Sequence, residues 1–284
     1  VPNPPHEPTP VHLESVTPLS PPLPWQGGKR HLAERLVTRI EQIPHDIYAE
    51  VFFGMGGVFF RRRRRPRLEV INDLSRDVST FFRVLQRHPD WLLGQLAWSL
   101  ASRTEFDRLR AIDPAHLTDV ERSARFYVLQ RQAYSGKVHG RTFGVTTESR
   151  YDIQRQRRLL EAVHGRLAAT VIECLPWHEL LARYDRPGAL FYLDPPYWGG
   201  EDDYGPGLFG RGDFQRMAEQ LRGLKGRFIL SLNDRPEVRR MFEGFALEAV
   251  TTTYTVGSVD RGADQAELII SDGKGGEVGQ MKLW

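Results

Sequence analysis

The stretch Gly188-Ala-Leu-Phe-Tyr-Leu-Asp-Pro-Pro-Tyr197 constrains this chain more than any other. Its apolar run reads as a strand buried on both faces, which implies a mostly parallel sheet covered by helices. The run stops on a carboxylate, Asp194. Pro195 and Pro196 then remove two amide donors and fix the backbone, so no ladder can continue, yet their carbonyls remain acceptors. Tyr197 adds a ring beside them. A carboxylate and a peptide carbonyl side by side accept two N–H donors, and an aromatic face stacks on a planar heterocycle. The pattern points to recognition of an exocyclic amino group, with a proline-stopped strand carrying an incidental acid as the plainer reading.

The rest of the chain supplies the sheet. Strands are predicted at 47–53, 67–73, 170–174, 188–194 and 227–233, and a closing antiparallel pair at 245–256 and 265–271. Helical patterns fall at 31–42, 78–85, 178–184, 213–224 and 237–242. This alternation predicts an α/β, doubly wound sheet. It assigns 25–87 and 169–284 to one domain and 88–168, helical and polar, to an insertion. Residues 1–24 are so rich in proline that they read as an extended or disordered leader. A length of 284 residues suffices for such a domain and its insertion. The single cysteine, Cys174, excludes intrachain disulfides, and the nine histidines lack metal-ligand spacing, so no metal is expected. No apolar run is long enough for a membrane span and no secretory pattern opens the chain, which predicts a reducing cytoplasm.

Ligands of such sheets bind beyond the carboxyl ends of the strands, where strand order reverses. Three strand ends carry candidates. Glu50 and Phe53 lead into Gly54, Gly56 and Gly57, a turn that either admits a ligand close to the backbone or merely reverses the chain. Asp73 ends the next strand, placed to accept ribose hydroxyls or to start the following helix. Asp194 ends the fourth. Ser231, Asn233 and Asp234 end the fifth and are read as structural support; Trp198 either packs or lines the pocket. Residues 122–166 hold ten Lys/Arg against three acids, which suits either a phosphate-facing segment or a solvated face. The run Arg61–Arg65 is expected at the far end of a helix leaving the glycine turn, away from the cleft.

Six segments in order, PWQGGK, AEVFFGMGGVF, INDLS, LQRQAYSGK, LDPPY and LSLND, resemble the DNA adenine methylase (Dam) family of S-adenosylmethionine-dependent N6-adenine DNA methyltransferases. The resemblance spans roughly residues 22–271. It implies a Rossmann-like methyltransferase sheet with an inserted, mainly helical target-recognition region. Trp25 and Lys29 would touch the methionine end of the cofactor, Gly54 and Gly56 would lie beneath it and Asp73 would hold its ribose, with Glu50 and Phe53 also among the cofactor-binding residues. Asp194, Pro195, Pro196 and Tyr197 would form the catalytic motif, Asp194 also bordering the cofactor. Arg131, Tyr134, Lys137, His139 and Arg141 would engage double-stranded DNA, with the target base flipped out. The resemblance leaves a restriction endonuclease partner open, and implies the cytoplasm of a bacterium or phage-infected cell.

Departures from the family's pattern matter too. Val51 replaces a usual proline. Leu175–His178 replace the acid that grips the cofactor's adenine, so Trp177 is the candidate to stack there, with Glu173 or Glu179 to supply a hydrogen bond. Lys137 and His139 differ from the best-known members, so their GATC specificity does not carry over. Cytosine N4, an RNA adenine, a protein glutamine, or a silent DNA-binding module are the competing readings.

Overall fold

The computed structural model describes residues 13–29, 32–144, 152–252 and 265–274. Expectations placed on 1–12, on His31, on Arg150 and on 253–256 lie outside the described residues.

Two strands, β1 (Glu14–Ser15) and β3 (Arg64–Arg65), pair with each other. The remaining strands are β2 (Ile47–Glu50), β4 (Leu68–Asn72), β5 (Thr170–Glu173), β6 (Ala189–Leu193), β7 (Arg227–Asn233), β8 (Ala246–Thr252) and β9 (Gln265–Ser271). They form one seven-stranded sheet in the order β5-β4-β2-β6-β7-β9-β8, parallel from β5 to β7 and antiparallel at β9 and β8. The chain runs outward through β2, β4 and β5, then returns to lay β6 against the other side of β2. Strand order therefore reverses between β2 and β6. The glycine turn follows β2 and the Asp-Pro-Pro corner follows β6, so the two adjoin at the switch point.

Period-two alternation sorts the strand residues between two helical layers. Leu190 and Tyr192 of β6 face the layer of α1 (Ala33–Gln42), α2 (Arg76–Arg87), α3 (Pro89–Ala97), α5 (Asp119–Gln132) and α6 (Ile153–Leu167). Ala189, Phe191 and Leu193 face α7 (Trp177–Tyr184), α8 (Arg211–Arg222) and α9 (Pro236–Met241). Each fully buried large apolar side chain contributes about 1.5–3 kcal/mol, so this central strand is firmly anchored. The doubly wound α/β architecture is as the sequence predicts, and no helix among the described residues is long and apolar enough to cross a membrane.

Four features depart from expectation. Residues 13–24 are not a detached leader: β1 pairs with β3, Leu19 N–H donates to the Phe60 carbonyl at 2.6 Å, and Leu23 is buried. Apolar residues between the prolines give this segment something to bury, which its proline content hides. The region 88–168 adds α3, α4 (Arg103–Ala111), α5 and α6, but Leu92, Leu96, Phe126, Tyr127, Leu160 and Val163 join the core on one face of the sheet. It is a thickening of that layer. The glycine turn leads into a 3₁₀ turn, Phe59–Arg61, in place of a longer helix.

The arginines that follow do not complement a helix dipole. Arg62 is buried against Glu69 at 2.7 Å and lies over the Tyr48 ring, Arg63 pairs with Glu34, and Arg65 pairs with Glu14 at 2.7 Å. Arg166 shares Glu69 through both carboxylate oxygens. Three of the five arginines are thus taken up by ion pairs within the chain, and Arg61 reaches the Gly57 carbonyl.

Candidate active site at the switch point

Asp194 stands directly after β6 with its proline neighbours buried behind it. Its Oδ1 takes the Lys29 ammonium at 2.9 Å and the Ser231 hydroxyl at 3.0 Å. Both fall on one oxygen, which leaves Oδ2 for the cleft that Asp194 lines. Ser231, fully buried on β7, also meets the Tyr192 hydroxyl at 3.0 Å. Asn233 clamps the Trp198 peptide from both sides, accepting its N–H at 2.9 Å and donating to its carbonyl at 3.0 Å. The corner is thus held at both ends. The support expected of Ser231 and Asn233 is aimed at the Asp-Pro-Pro-Tyr corner itself, while Asp234 is paired with Arg239.

Burial pushes the Asp194 carboxyl upward, and Lys29 and Ser231 work against that. Burial also disfavours the Lys29 ammonium, but Asp194 and Glu267 outweigh it and hold the lysine charged, well above its usual range. Lys29 Nζ donates to the Tyr197 hydroxyl and lies 4.3 Å from that ring's centre. Lys29 therefore belongs to the Asp-Pro-Pro-Tyr corner, where the resemblance placed it at the methionine end of a cofactor.

The glycine turn is built around Trp25. Gly54 and Gly56 take φ of +49° and +67°, and a Cβ on Gly54 would meet the Trp25 indole nitrogen at 2.5 Å. Trp25 stacks in turn on Tyr204, with ring centres 5.8 Å apart. Tyr204 donates to the Gln26 carbonyl at 3.0 Å and senses the charges of both Asp194 and Asp73. Phe53 is packed among Phe59, Phe60 and Phe82, so its side chain offers nothing to a ligand. Glu50 is likewise internal. It accepts from the Tyr48 hydroxyl at 2.8 Å and from the Phe59 amide, and burial pushes it up to about 8. Its place is beneath the turn.

Asp73 receives the Gly54 N–H on Oδ2 at 2.8 Å and the Ser75 N–H on Oδ1 at 2.9 Å. Burial pushes it up to about 6 despite these two amides. A carboxylate has about four lone-pair sites, so each oxygen keeps capacity for a further donor. Asp73 closes the turn and remains able to accept hydroxyls. Asn72 beside it ties three strand ends together through the Val51 carbonyl and both backbone groups of Leu175. No motif in the sequence points to Asn72.

A cleft of about 580 Å³ opens at this end of the sheet, with Lys29, Asp194, Pro195, Tyr197, Tyr204 and Asn233 in its wall. Gly54 and Asp73 do not line it. Trp25 packs on Gly54 and stacks on Tyr204, which lines the cleft, so this aromatic pair links the glycine turn to it. Nothing in the acidic, glycine-rich composition of 199–207 singles out Tyr204. Trp198 faces Phe214 and carries Arg211 over its ring, so it packs.

Trp177 is 5% exposed, built into the α7–α8 layer with its indole N–H donated to Asp213 at 3.1 Å. Little of its ring remains for a ligand. Glu173 is held by Tyr184 at 2.7 Å, and Glu179 is exposed.

Beyond α5 the chain turns back on itself: Tyr134 N–H reaches the Thr142 carbonyl at 2.8 Å and Gly144 N–H the Gln132 carbonyl at 2.8 Å. Gly136 at its base sits against the Trp25 backbone, and Gln26 N–H donates to the Gly136 carbonyl at 3.0 Å. The loop is therefore fixed to the PWQGG segment at the cleft. Tyr134, Lys137 and His139 are exposed on it, whereas Arg131 is half-buried and Arg141 is drawn inward to Gln130 at 3.0 Å. Of the wider basic segment, Arg122 pairs with Asp77, Arg125 is buried on the Leu109 carbonyl, and Arg166 is buried on Glu69. Arg155, Arg157 and Arg158 remain exposed on the first turns of α6.

Among the described residues no cluster of His, Cys, Asp and Glu could hold a metal ion. The Type II methyltransferase M.CviBI of Paramecium bursaria Chlorella virus NC1A is 22% identical to this chain over 233 residues, 80% of this chain and 88% of that protein. The solved structure of the putative methyltransferase yhhF from Escherichia coli aligns with a TM-score of 0.37 at 10% identity, covering 88% of this chain and 90% of that one. Residues 25–256 match the D12 class N6 adenine-specific DNA methyltransferases, a span that includes the glycine turn, the Asp-Pro-Pro-Tyr corner and both strands between which the sheet reverses. The chain belongs to that family.

Proposed function

We propose that the Asp194–Tyr197 corner holds a flipped-out adenine of double-stranded DNA, and that S-adenosylmethionine is the methyl donor, seated between Trp25, Gly54 and Asp73. Methylation of adenine in DNA is the reaction of the family to which the chain belongs. The observation that carries the proposal is the division of labour on Asp194. One oxygen is fixed by Lys29 and Ser231, which leaves the other for the cleft that Asp194 and Pro195 both line.

The lone pair of adenine N6 is delocalised into the ring, so the amine is a weak nucleophile. Asp194 Oδ2 and the Pro195 carbonyl can each accept a hydrogen bond from one of its N–H groups, which favours pyramidal nitrogen and localises the lone pair. Asp194 need not remove a proton first, and its carboxylate is placed to take the one that the methylated nitrogen then sheds. Its charge stabilises the cation growing on nitrogen in a site where water is scarce. Tyr197 offers its ring to the base, and the fixed corner supplies orientation. A base inside a stacked duplex cannot reach this corner, hence the flip.

The residues fit the proposed cofactor. Asp73 has acceptor capacity left for a ribose, since each of its oxygens holds only one backbone N–H. When bound, S-adenosylmethionine supplies an electrophilic methyl group on a sulfonium. Incubation with labelled S-adenosylmethionine and unmodified DNA, followed by digestion to nucleosides, is expected to place the label in N6-methyldeoxyadenosine. Label in methylcytosine, or none in DNA and some in RNA or protein, would overturn the assignment.

A further inference from the structure

Arg235 follows β7 and lines the cleft together with Asp194, Pro195 and Tyr197. Its backbone is held on both sides: the Asp234 N–H donates to the Ala266 carbonyl at 2.8 Å, and the Arg235 carbonyl accepts the Arg239 N–H at 3.0 Å. Its side chain is exposed, and among the described residues no hydrogen bond or ion pair engages the guanidinium. The acid beside it, Asp234, gives one oxygen to each arm of Arg239, both at 2.6 Å. Arg239 accordingly does most to hold that carboxyl below its ordinary range, and Arg235 contributes least. Lys29, the other cation in the cleft wall, is 3% exposed and engaged by Asp194. Arg235 is the cation of this wall that remains for a ligand.

We propose that Arg235 binds a phosphate beside the flipped-out adenine, so that the DNA backbone enters the cleft along its β7 edge. The inference rests on the reading of the Asp194 corner as the adenine site. Sheet order sets the direction. β6 lies between β2 and β7, so Asp194 stands in the middle of the cleft. Gln26 and Gly27 follow Trp25, which packs on the turn after β2, and they form one edge; Arg235 forms the other. A base turned out of the duplex carries a phosphate on either side of its sugar, and phosphate contacts fix the position of the duplex without reading its sequence.

The charges of the wall favour that edge. Asp203, on the loop after the corner, is exposed in the same wall and repels a phosphate there. Lys137 is exposed on the loop that Gly136 and Gln26 fix to the opposite edge, so a cation stands on each side of the base-binding corner. A guanidinium suits the task, because its planar fork presents two parallel N–H donors to phosphate oxygens.

Arg235→Ala removes the charge and Arg235→Lys keeps it. Binding is measured across a salt series with a duplex containing an adenine that the wild-type protein methylates. Arg235→Ala is expected to lower the log–log slope by about 0.9, the share of one phosphate. Affinity at low salt should fall about tenfold, the scale of one hydrogen-bonded charge contact. Arg235→Lys should keep the slope. S-adenosylmethionine affinity and Tm should match wild type in both variants, since the side chain pairs with nothing among the described residues. The phosphates on either side of the adenine are then replaced, one at a time, by neutral methylphosphonate. Wild type should bind more weakly at one of the two positions, and Arg235→Ala should be indifferent there. An unaltered slope in Arg235→Ala, or methylphosphonate effects equal in both proteins, would overturn the proposal. The two readings fail separately. A wild-type protein that methylates no adenine in DNA overturns the reading of the corner and the role of Arg235 with it; adenine methylation with an unaltered Arg235→Ala slope removes Arg235 alone.

Discussion

Asp73 shows how one carboxylate can close a turn and still wait for a ligand. Its oxygens each hold one backbone N–H, yet burial leaves it pushed up to about 6. A protonated carboxyl has less acceptor capacity, so cofactor affinity should be constant above that pH and weaken as pH falls through it. Calorimetric titrations with S-adenosylmethionine at several pH values test this. Asp73→Asn should lose the pH dependence and bind more weakly by roughly 1–3 kcal/mol, the cost of hydroxyls left unpaired. Equal affinities for the two proteins would move the ribose elsewhere. At this scale the sequence is informative where chemistry is local. Asp194, Pro195 and Tyr197 announce themselves because a strand rarely ends so. Trp177 misleads, since the presence of a tryptophan does not say which face of a helix it takes, and here it packs on α8. Lys29, Ser231, Glu267 and Tyr204 come together only in three dimensions, from four separate segments, so no spacing announces their meeting.

The strands are legible because each is a short apolar run bounded by turn residues. β7 and β9 fall where the periodicity puts them, and β6 departs by one residue at each end. The glycine turn reads as opening a helix, but Phe59 and Phe60 fold inward onto Phe53 and end it after one 3₁₀ turn. The basic segment is half legible: summing its charges counts Arg122, Arg125 and Arg166, which ion pairs and carbonyls consume. What remains for phosphate lies at the start of α6. That helix leads into β5, so its first turns lie at the same end of the sheet as the cleft. Replacing Arg155 and Arg158 with alanine should therefore reduce the dependence of DNA affinity on salt, by about 0.9 in the log–log slope for each phosphate no longer neutralised. Affinity measured across a salt series checks it; an unaltered slope would turn that helix face to solvent alone.

Across the whole molecule, the sheet order β5-β4-β2-β6-β7-β9-β8 is what brings the distant motifs together. It lays β2 and β6 side by side although about 140 residues separate them. The glycine turn and the Asp-Pro-Pro corner then sit on neighbouring strand ends, linked through the Trp25–Tyr204 stack. The fold class follows from alternation of strands and helices. The docking of residues 13–24 and of α3, α5 and α6 onto one shared core does not, because burial on that scale depends on partners far away in the chain. Everything proposed for the chemistry depends on a carboxylate and a proline carbonyl taking hold of one purine amine. Asp194→Ala, assayed for single-turnover methyl transfer and for S-adenosylmethionine binding on the same preparation, tests that most directly. Transfer should be abolished with cofactor affinity largely intact, and an Asp194→Ala protein that still methylates adenine near the wild-type rate would contradict the account.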